Sequence, residues 1–166
     1  LTKVSLLCHP QQVFAVFRKF KQITSDELPS LADKLTLVLD GVQDPGNLGT
    51  IIRIADWFGI EDIICSKETV DAYNPKVVQA TMGSIARVRV SYMELEQLFD
   101  ALPPTRPVYG TLRDGNNMYS EQLSHNGIII MGNEGKGISP KIRQFIIKGL
   151  RIPNYPEGRD TADSLN

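Results

Sequence analysis

Histidine and cysteine are nearly absent from this chain, with two of each in 166 residues. Cys8 and Cys65 lie far apart and share no metal-ligand spacing with His9 or His125. That argues against a zinc site and for two reduced thiols. Long apolar runs are missing too. No stretch approaches the ~20 residues that span a bilayer, and no signal peptide is visible, so a cytoplasmic protein without membrane contact is expected. An excess of positive charge is also missing. The net charge of −1 excludes a polybasic nucleic-acid binder. Residues 1–34 carry five Lys/Arg against three Asp/Glu, residues 35–133 seven against twelve, and residues 134–166 six against four. Any RNA or DNA contact must therefore be local, or shared with another chain or a missing segment.

What is present is the composition of an ordinary globular domain, 42% hydrophobic and 22% charged, long enough for one sizeable core. Val13, Val16, Phe17 and Phe20 recur at helical spacing, which predicts a helical piece packed on that core. After a polar connector over Asp26 to Ser30, the pattern turns to alternating strands and helices. Strands are predicted at Leu35–Asp40, Asp62–Cys65, Ile85–Val90, Pro107–Leu112, Gly127–Met131 and Leu150–Ile152. Helices are predicted at Leu48–Phe58, Pro75–Met82, Tyr92–Ala101 and Ser139–Ile147, the last with Ser139 as N-cap and Pro140 at the first position. This alternation predicts an α/β fold, a mostly parallel sheet flanked by helices on both faces.

The most informative stretch is Gly127 to Ser139. Ile128 to Ile130 read as a buried strand that runs into Gly132, Gly135 and Gly137. Such glycines allow a sharp turn and close backbone approach to a ligand. Glu134 and Lys136 sit inside the turn. The spacing before Lys136 is wrong for a Walker loop, and Gly137 stands where its Ser/Thr belongs. A buried Glu134 could accept from a ligand amine or hydroxyl, or be satisfied by loop amides. A second candidate is Asp40 to Arg53, a strand, a Gly/Pro turn and a helix that begins near Asn47. Asn47 is a good N-cap. Arg53 suits a phosphate near the helix mouth, or else pairs with Asp56 or Glu61. Ile152-Pro153 and Ser164-Leu165-Asn166 carry little signal alone.

Together these segments carry more. Asn47-x-Gly49-x-x-x-Arg53, Gly132-Asn133-Glu134-Gly135-x-Gly137 and Ile152-Pro153…Ser164-Leu165-Asn166 resemble, in order and spacing, the three signature motifs of the SpoU (TrmH-like) RNA methyltransferases of the SPOUT superfamily. The resemblance covers nearly all of residues 35–166. It implies an α/β fold with a C-terminal trefoil knot, S-adenosyl-L-methionine as methyl donor, a ribose 2′-hydroxyl of RNA as acceptor, no metal, and a homodimer with composite sites. Arg53, Asn47, Glu134, Ser164 and Asn166 take the catalytic positions. Thr111, Leu112, Gly132, Asn133, Gly137, Ile152, Pro153 and Leu165 take the cofactor positions.

Two departures stand out. Ten residues, Asn154 to Asp163, separate Ile-Pro from Ser-Leu-Asn, a longer loop than the family's. The family pattern also continues into a helix past Ser-Leu-Asn, whereas the chain stops at Asn166. The resemblance thus implies a catalytic domain over 35–166 without its final helix, and a connector over 1–34 that follows an RNA-binding module. A guanidinium has a pKa above ~12, so Arg53 is expected to clamp a phosphate and stabilise the forming alkoxide rather than act as a base. Glu134 is the second choice of base. The absence of a basic tail favours rRNA over tRNA. The competing readings are a non-catalytic RNA-binding protein of this fold, a base-methylating SPOUT enzyme and an unrelated Rossmann-type binder.

Overall fold

Six parallel strands in the order β3-β2-β1-β5-β4-β6 form the sheet in a computed structural model that describes residues 13, 15–156 and 159. The strands are β1 (Leu35–Asp40), β2 (Asp62–Cys65), β3 (Arg89–Tyr92), β4 (Val108–Asn117), β5 (Gly127–Gly132) and β6 (Lys148–Arg151). The helices are α1 (Pro45–Trp57), α2 (Pro75–Ala80), α3 (Leu95–Ala101) and a short α4 (Pro140–Arg143). From β1 the chain steps outward to β2 and β3, then crosses back to β4, and β5 inserts beside β1. Strand order therefore reverses at the β1–β5 pair. In open parallel sheets the crevice beyond the strand ends at such a reversal is where ligands collect.

The strand pattern follows from burial on both faces. Odd-numbered Leu37 and Leu39 of β1 join Leu48, Ile52 and Val77, beneath α1 and α2. Even-numbered Val38, with Ile128 and Ile130 of β5, joins Leu28, Leu31, Leu98 and Ile142 on the other face. Two-sided burial is why these strands read as continuous β-branched and leucine runs. Leu28 and Leu31 belong to a 3-10 helix, Ser25–Leu31, so the stretch expected as a connector supplies core. Gly49 sets how closely α1 approaches α2, because a Cβ there would lie 2.4 Å from the Ala80 Cβ.

Several expected elements differ. Residues 15–24 form no helix, and Val16 and Phe17 are 84% and 83% exposed. A helix this short is marginal unless a packed face supports it, and no described element covers that face. The segment is tethered by side chains instead. The Gln22 amide donates to Val90 O at 3.3 Å and accepts from Tyr92 N at 2.7 Å, along the outer edge of β3. Strand β3 begins at Arg89 rather than Ile85, because Gly83, at φ +91°, turns Ser84–Ala86 into a 3-10 helix. Tyr92 ends β3, so α3 starts three residues later than expected. Helix α4 stops at Arg143 because Ile147 N donates to Val108 O and draws the chain toward β6. Strand β4 continues past Leu112 to Asn117, with a register shift against β6 between Thr111 and Asn116. The expected knot, together with Ser164, Leu165 and Asn166, lies outside the described residues, as do Cys8 and His9. Cys65 is buried, and burial pushes its thiol well above the ordinary range.

Candidate active site

The loops that follow β1 and β5 meet at the strand-order reversal. Asp44 caps α1, its carboxylate accepting from Asn47 N at 2.8 Å. Asp44, not Asn47, is therefore the cap, and the helix starts three residues before the expected Leu48. Pro45 follows the cap, where its missing N–H costs nothing. The shift places Asn47 in the first turn, where its side-chain amide donates to Glu134 Oε1 at 3.1 Å. The same carboxylate accepts from Gln43 N at 3.3 Å and Asp44 N at 3.2 Å. Glu134 is exposed rather than buried, yet three donors from the β1–α1 loop and the first turn of α1 converge on it. Burial alone would raise this carboxyl. Its own amide, the Asn47 side chain and the Asp44 and Gln43 amides outweigh that and hold it below the ordinary carboxylate range.

Within the glycine-rich loop the amides are consumed by the loop itself. Asn133 Oδ1 accepts from Gly135 N and Lys136 N at 3.0 and 2.9 Å, and Asn133 pairs with Gly137 through two backbone hydrogen bonds. The Asn133 amide in turn donates to Gly41 O at 2.8 Å, a second tie between the loops. The glycines therefore serve the turn more than they bare amides to a ligand. Gly137 adopts φ +70°, and a Cβ on Gly132 would fall 2.2 Å from the Gly137 carbonyl carbon. Loop closure by itself requires glycine at 132.

One wall of this loop borders a cavity of about 490 Å³, with Asn47, Thr50 and Ile54 of α1 on one side and Thr111 and Leu112 of β4 on the other. Met131 and Gly132 form its base. A cavity this size accommodates a cofactor of several hundred daltons. Arg113, Lys136 and Arg143 supply positive charge at the wall, and Asp114 and Glu134 negative charge. Arg143 pairs with Asp114 at 2.6 Å. Asn133, Lys136 and Gly137 also border a second hollow, of about 370 Å³, which carries Glu68, Glu94 and Glu96. With Asp40 its carboxylates number four against Lys136 and Lys141, whereas the first cavity has three cations against two carboxylates and is the better candidate for a phosphate-bearing ligand.

Arg53 is exposed and makes no hydrogen bond or ion pair with any described residue. The alternative pairings are ruled out. Asp56 is taken by Arg87 at 2.7 Å and by Ser84, and Glu61 by Lys34 at 2.6 Å. Arg53 does not line the cavity beside Thr50 and Ile54. Residues on a helix are offset by about 100° each, so Arg53 projects from the flank of the cavity-facing stripe, with Trp57 one turn further on. Trp57 is 85% exposed and Ile54 46%. Ile152 and Pro153 are described, but they do not line the cavity.

The sequence reading missed Asp44 and Asp40. Asp40 Oδ2 accepts from Ser139 N at 2.6 Å and ties the end of β1 to the start of α4. Asp-Pro at a helix start was the available signal for Asp44; nothing local marks Asp40. Among the described residues no group of three or more His, Cys, Asp or Glu could hold a metal, and no helix is long and apolar enough to cross a membrane.

Comparison with known proteins bears on this site. The sequence model of the SpoU rRNA Methylase family matches residues 34–166. The chain is 35% identical over 159 residues to the 23S rRNA (guanosine(2553)-2′-O)-methyltransferase RlmP of Bacillus subtilis, covering 95% of this chain and 60% of that protein. It is 30% identical over 147 residues to the 23S rRNA (guanosine-2′-O-)-methyltransferase RlmB of Neisseria meningitidis, covering 85% of this chain and 56% of that protein. Among solved structures, an AdoMet-bound rRNA methyltransferase from Sinorhizobium meliloti superposes with TM-score 0.77 at 30% identity, covering 88% of this chain and 56% of that one. A TrmH-family protein from Porphyromonas gingivalis superposes with TM-score 0.80 at 35% identity, covering 99% and 64%. The chain thus spans less than two thirds of the length of these relatives.

Proposed function

The chain belongs to the SpoU rRNA methylase family, and from that premise we propose that it is an RNA 2′-O-methyltransferase that uses S-adenosylmethionine. The observation that carries this reading is the convergence of the first two signature motifs, through Asn47 and Glu134, on one wall of a cofactor-sized cavity whose opposite wall is Thr111 and Leu112. Apolar Leu112, Met131 and Ile138 suit an adenosine and thioether body, and wall charges of both signs suit an amino-acid zwitterion. Thr111, Leu112, Gly132, Asn133 and Gly137 would hold the cofactor from β4 and the glycine-rich loop, and the motif resemblance assigns Ile152, Pro153 and Leu165 to the same cofactor. Bound there, S-adenosylmethionine supplies an electrophilic methyl group on a sulfonium.

The chain's own task is to align the ribose oxygen and help it lose its proton. Arg53 clamps the phosphate beside the target ribose and stabilises the forming alkoxide, and a water or that phosphate takes the proton. Ser164 and Asn166 position the nucleotide. Arg53 projects from the flank of the cavity-facing stripe, and beside it α1 exposes Trp57. Both features support a homodimer in which Arg53 serves the partner's site. The RNA is ribosomal on this reading, as for the two methyltransferase relatives named above, and the protein works in the cytoplasm. The test is transfer of labelled methyl from S-adenosylmethionine to rRNA and to tRNA, followed by mapping of 2′-O-methylated positions. Label on bases, or no label on either RNA, rejects the proposal.

A further inference from the structure

The first turn of a helix presents unpaired N–H groups and attracts an anion. At α1 that anion is internal. The Glu134 carboxylate, from the loop after β5, accepts from the Gln43 and Asp44 amides and from the Asn47 side chain. An incoming RNA phosphate therefore finds the mouth of α1 already occupied. The same carboxylate has its lone pairs directed at donors, which leaves it a poor proton acceptor. Asn133 adds a parallel tie to Gly41 O. Between them, the two side chains join the cofactor-facing loop to the loop that launches α1, across about 90 residues of sequence.

We infer that Glu134 is a positioning residue for methyl transfer: it latches the glycine-rich loop to the mouth of α1 and fixes the helix that carries Arg53 relative to the methyl donor. This rests on the methyltransferase reading for its catalytic consequence, but the latch itself is a property of the protein alone. A latch and a base respond differently to amide substitution. In Glu134→Gln one carboxamide oxygen still accepts from a loop amide, whereas its NH₂ faces the other donors. In Glu134→Ala nothing remains.

The experiment compares Glu134→Gln, Glu134→Ala, Asn47→Ala and the double variant Glu134→Gln/Asn47→Ala in the intact protein. Single-turnover methyl transfer is read alongside hydrogen exchange at Gln43 and Asp44. The expected result is a graded loss, ~10-fold for Glu134→Gln and ~100-fold for Glu134→Ala, as small misplacements cost in enzymes. The double variant should lose little more than its worse parent, because both residues serve one contact. The Gln43 and Asp44 amides should exchange faster in the Glu134 variants without cofactor or RNA. Equal, near-complete loss in Glu134→Gln and Glu134→Ala, additive with Asn47→Ala, overturns the latch in favour of a proton acceptor. Unchanged exchange at Gln43 and Asp44 in Glu134→Ala overturns it too. The exchange result holds even if the wild-type protein methylates no RNA, so failure of the latch and failure of the proposed activity are separable.

Discussion

Helix α1 has a finished face and an unfinished one. On the inner face Leu48, Ile52 and Ala55 are fully buried, and Gly49 lets the backbone close on Ala80. On the outer face Arg53 has no described partner, and Trp57 stands in solvent. Both faces are carried by one run of 13 residues. Burial satisfies the inner face within the chain. An exposed tryptophan beside an arginine with no described partner offers a surface that another molecule can use. The inner face therefore reports on folding and the outer face on function, and substitutions can separate the two.

The largest effect is expected at Arg53. Arg53→Ala should cut methyl transfer by ~10³-fold, and Arg53→Lys by ~10²-fold, since an ammonium keeps the charge without the bidentate fork. Melting temperature should stay at the wild-type value in both. Near-wild-type turnover in Arg53→Lys would remove the phosphate clamp, and a large drop in melting temperature would blur the two faces. Gly49→Ala is the mirror case. The added methyl meets Ala80, so the variant should lose ~1–3 kcal/mol in urea unfolding, with activity falling only as far as folding does. Next is Trp57→Ala, which on the proposed homodimer should weaken self-association ~10- to 100-fold in analytical ultracentrifugation while leaving monomer unfolding unchanged. A dimer of wild-type strength would move the interface elsewhere.

The smallest effect concerns the end of α1. The Arg87 guanidinium, helped by the Ser84 hydroxyl, lowers the Asp56 carboxyl from 3.8 to about 2. A depressed carboxyl stabilises the fold above its unfolded value and loses that contribution as pH falls through the folded one. Asp56→Asn should therefore lower the melting temperature slightly at pH 7. The difference from wild type should shrink below pH 3.8 and vanish near pH 2.

How much of this was legible in the sequence varies with what each residue answers to. β1 and β5 were legible to within a residue, because burial on both faces writes itself as an unbroken apolar run. The last part of β4 was not: Arg113-Asp114-Gly115-Asn116-Asn117 looks like a turn, and only a shifted pairing with β6 makes it a strand. The motif residues named Asn47 and Glu134 as site members, yet not as partners of each other. Their hydrogen bond spans 87 residues and depends on where α1 starts, which Asp44 decides. The helix predicted through Val13, Val16, Phe17 and Phe20 had the right period, but among the described residues nothing buries that face. Periodicity can announce a face without saying what meets it.

The tether at Gln22 has a consequence for assembly. A carboxamide can donate and accept at once, as a peptide group does, and here it donates to Val90 O and accepts from Tyr92 N. One side chain thus imitates a rung of a seventh strand and terminates the sheet at β3. Open sheet edges recruit extended segments from other molecules, in aggregates as well as in specific complexes. With those two backbone groups at the β3 border spoken for, that edge of the sheet offers a poorer template for edge-to-edge growth.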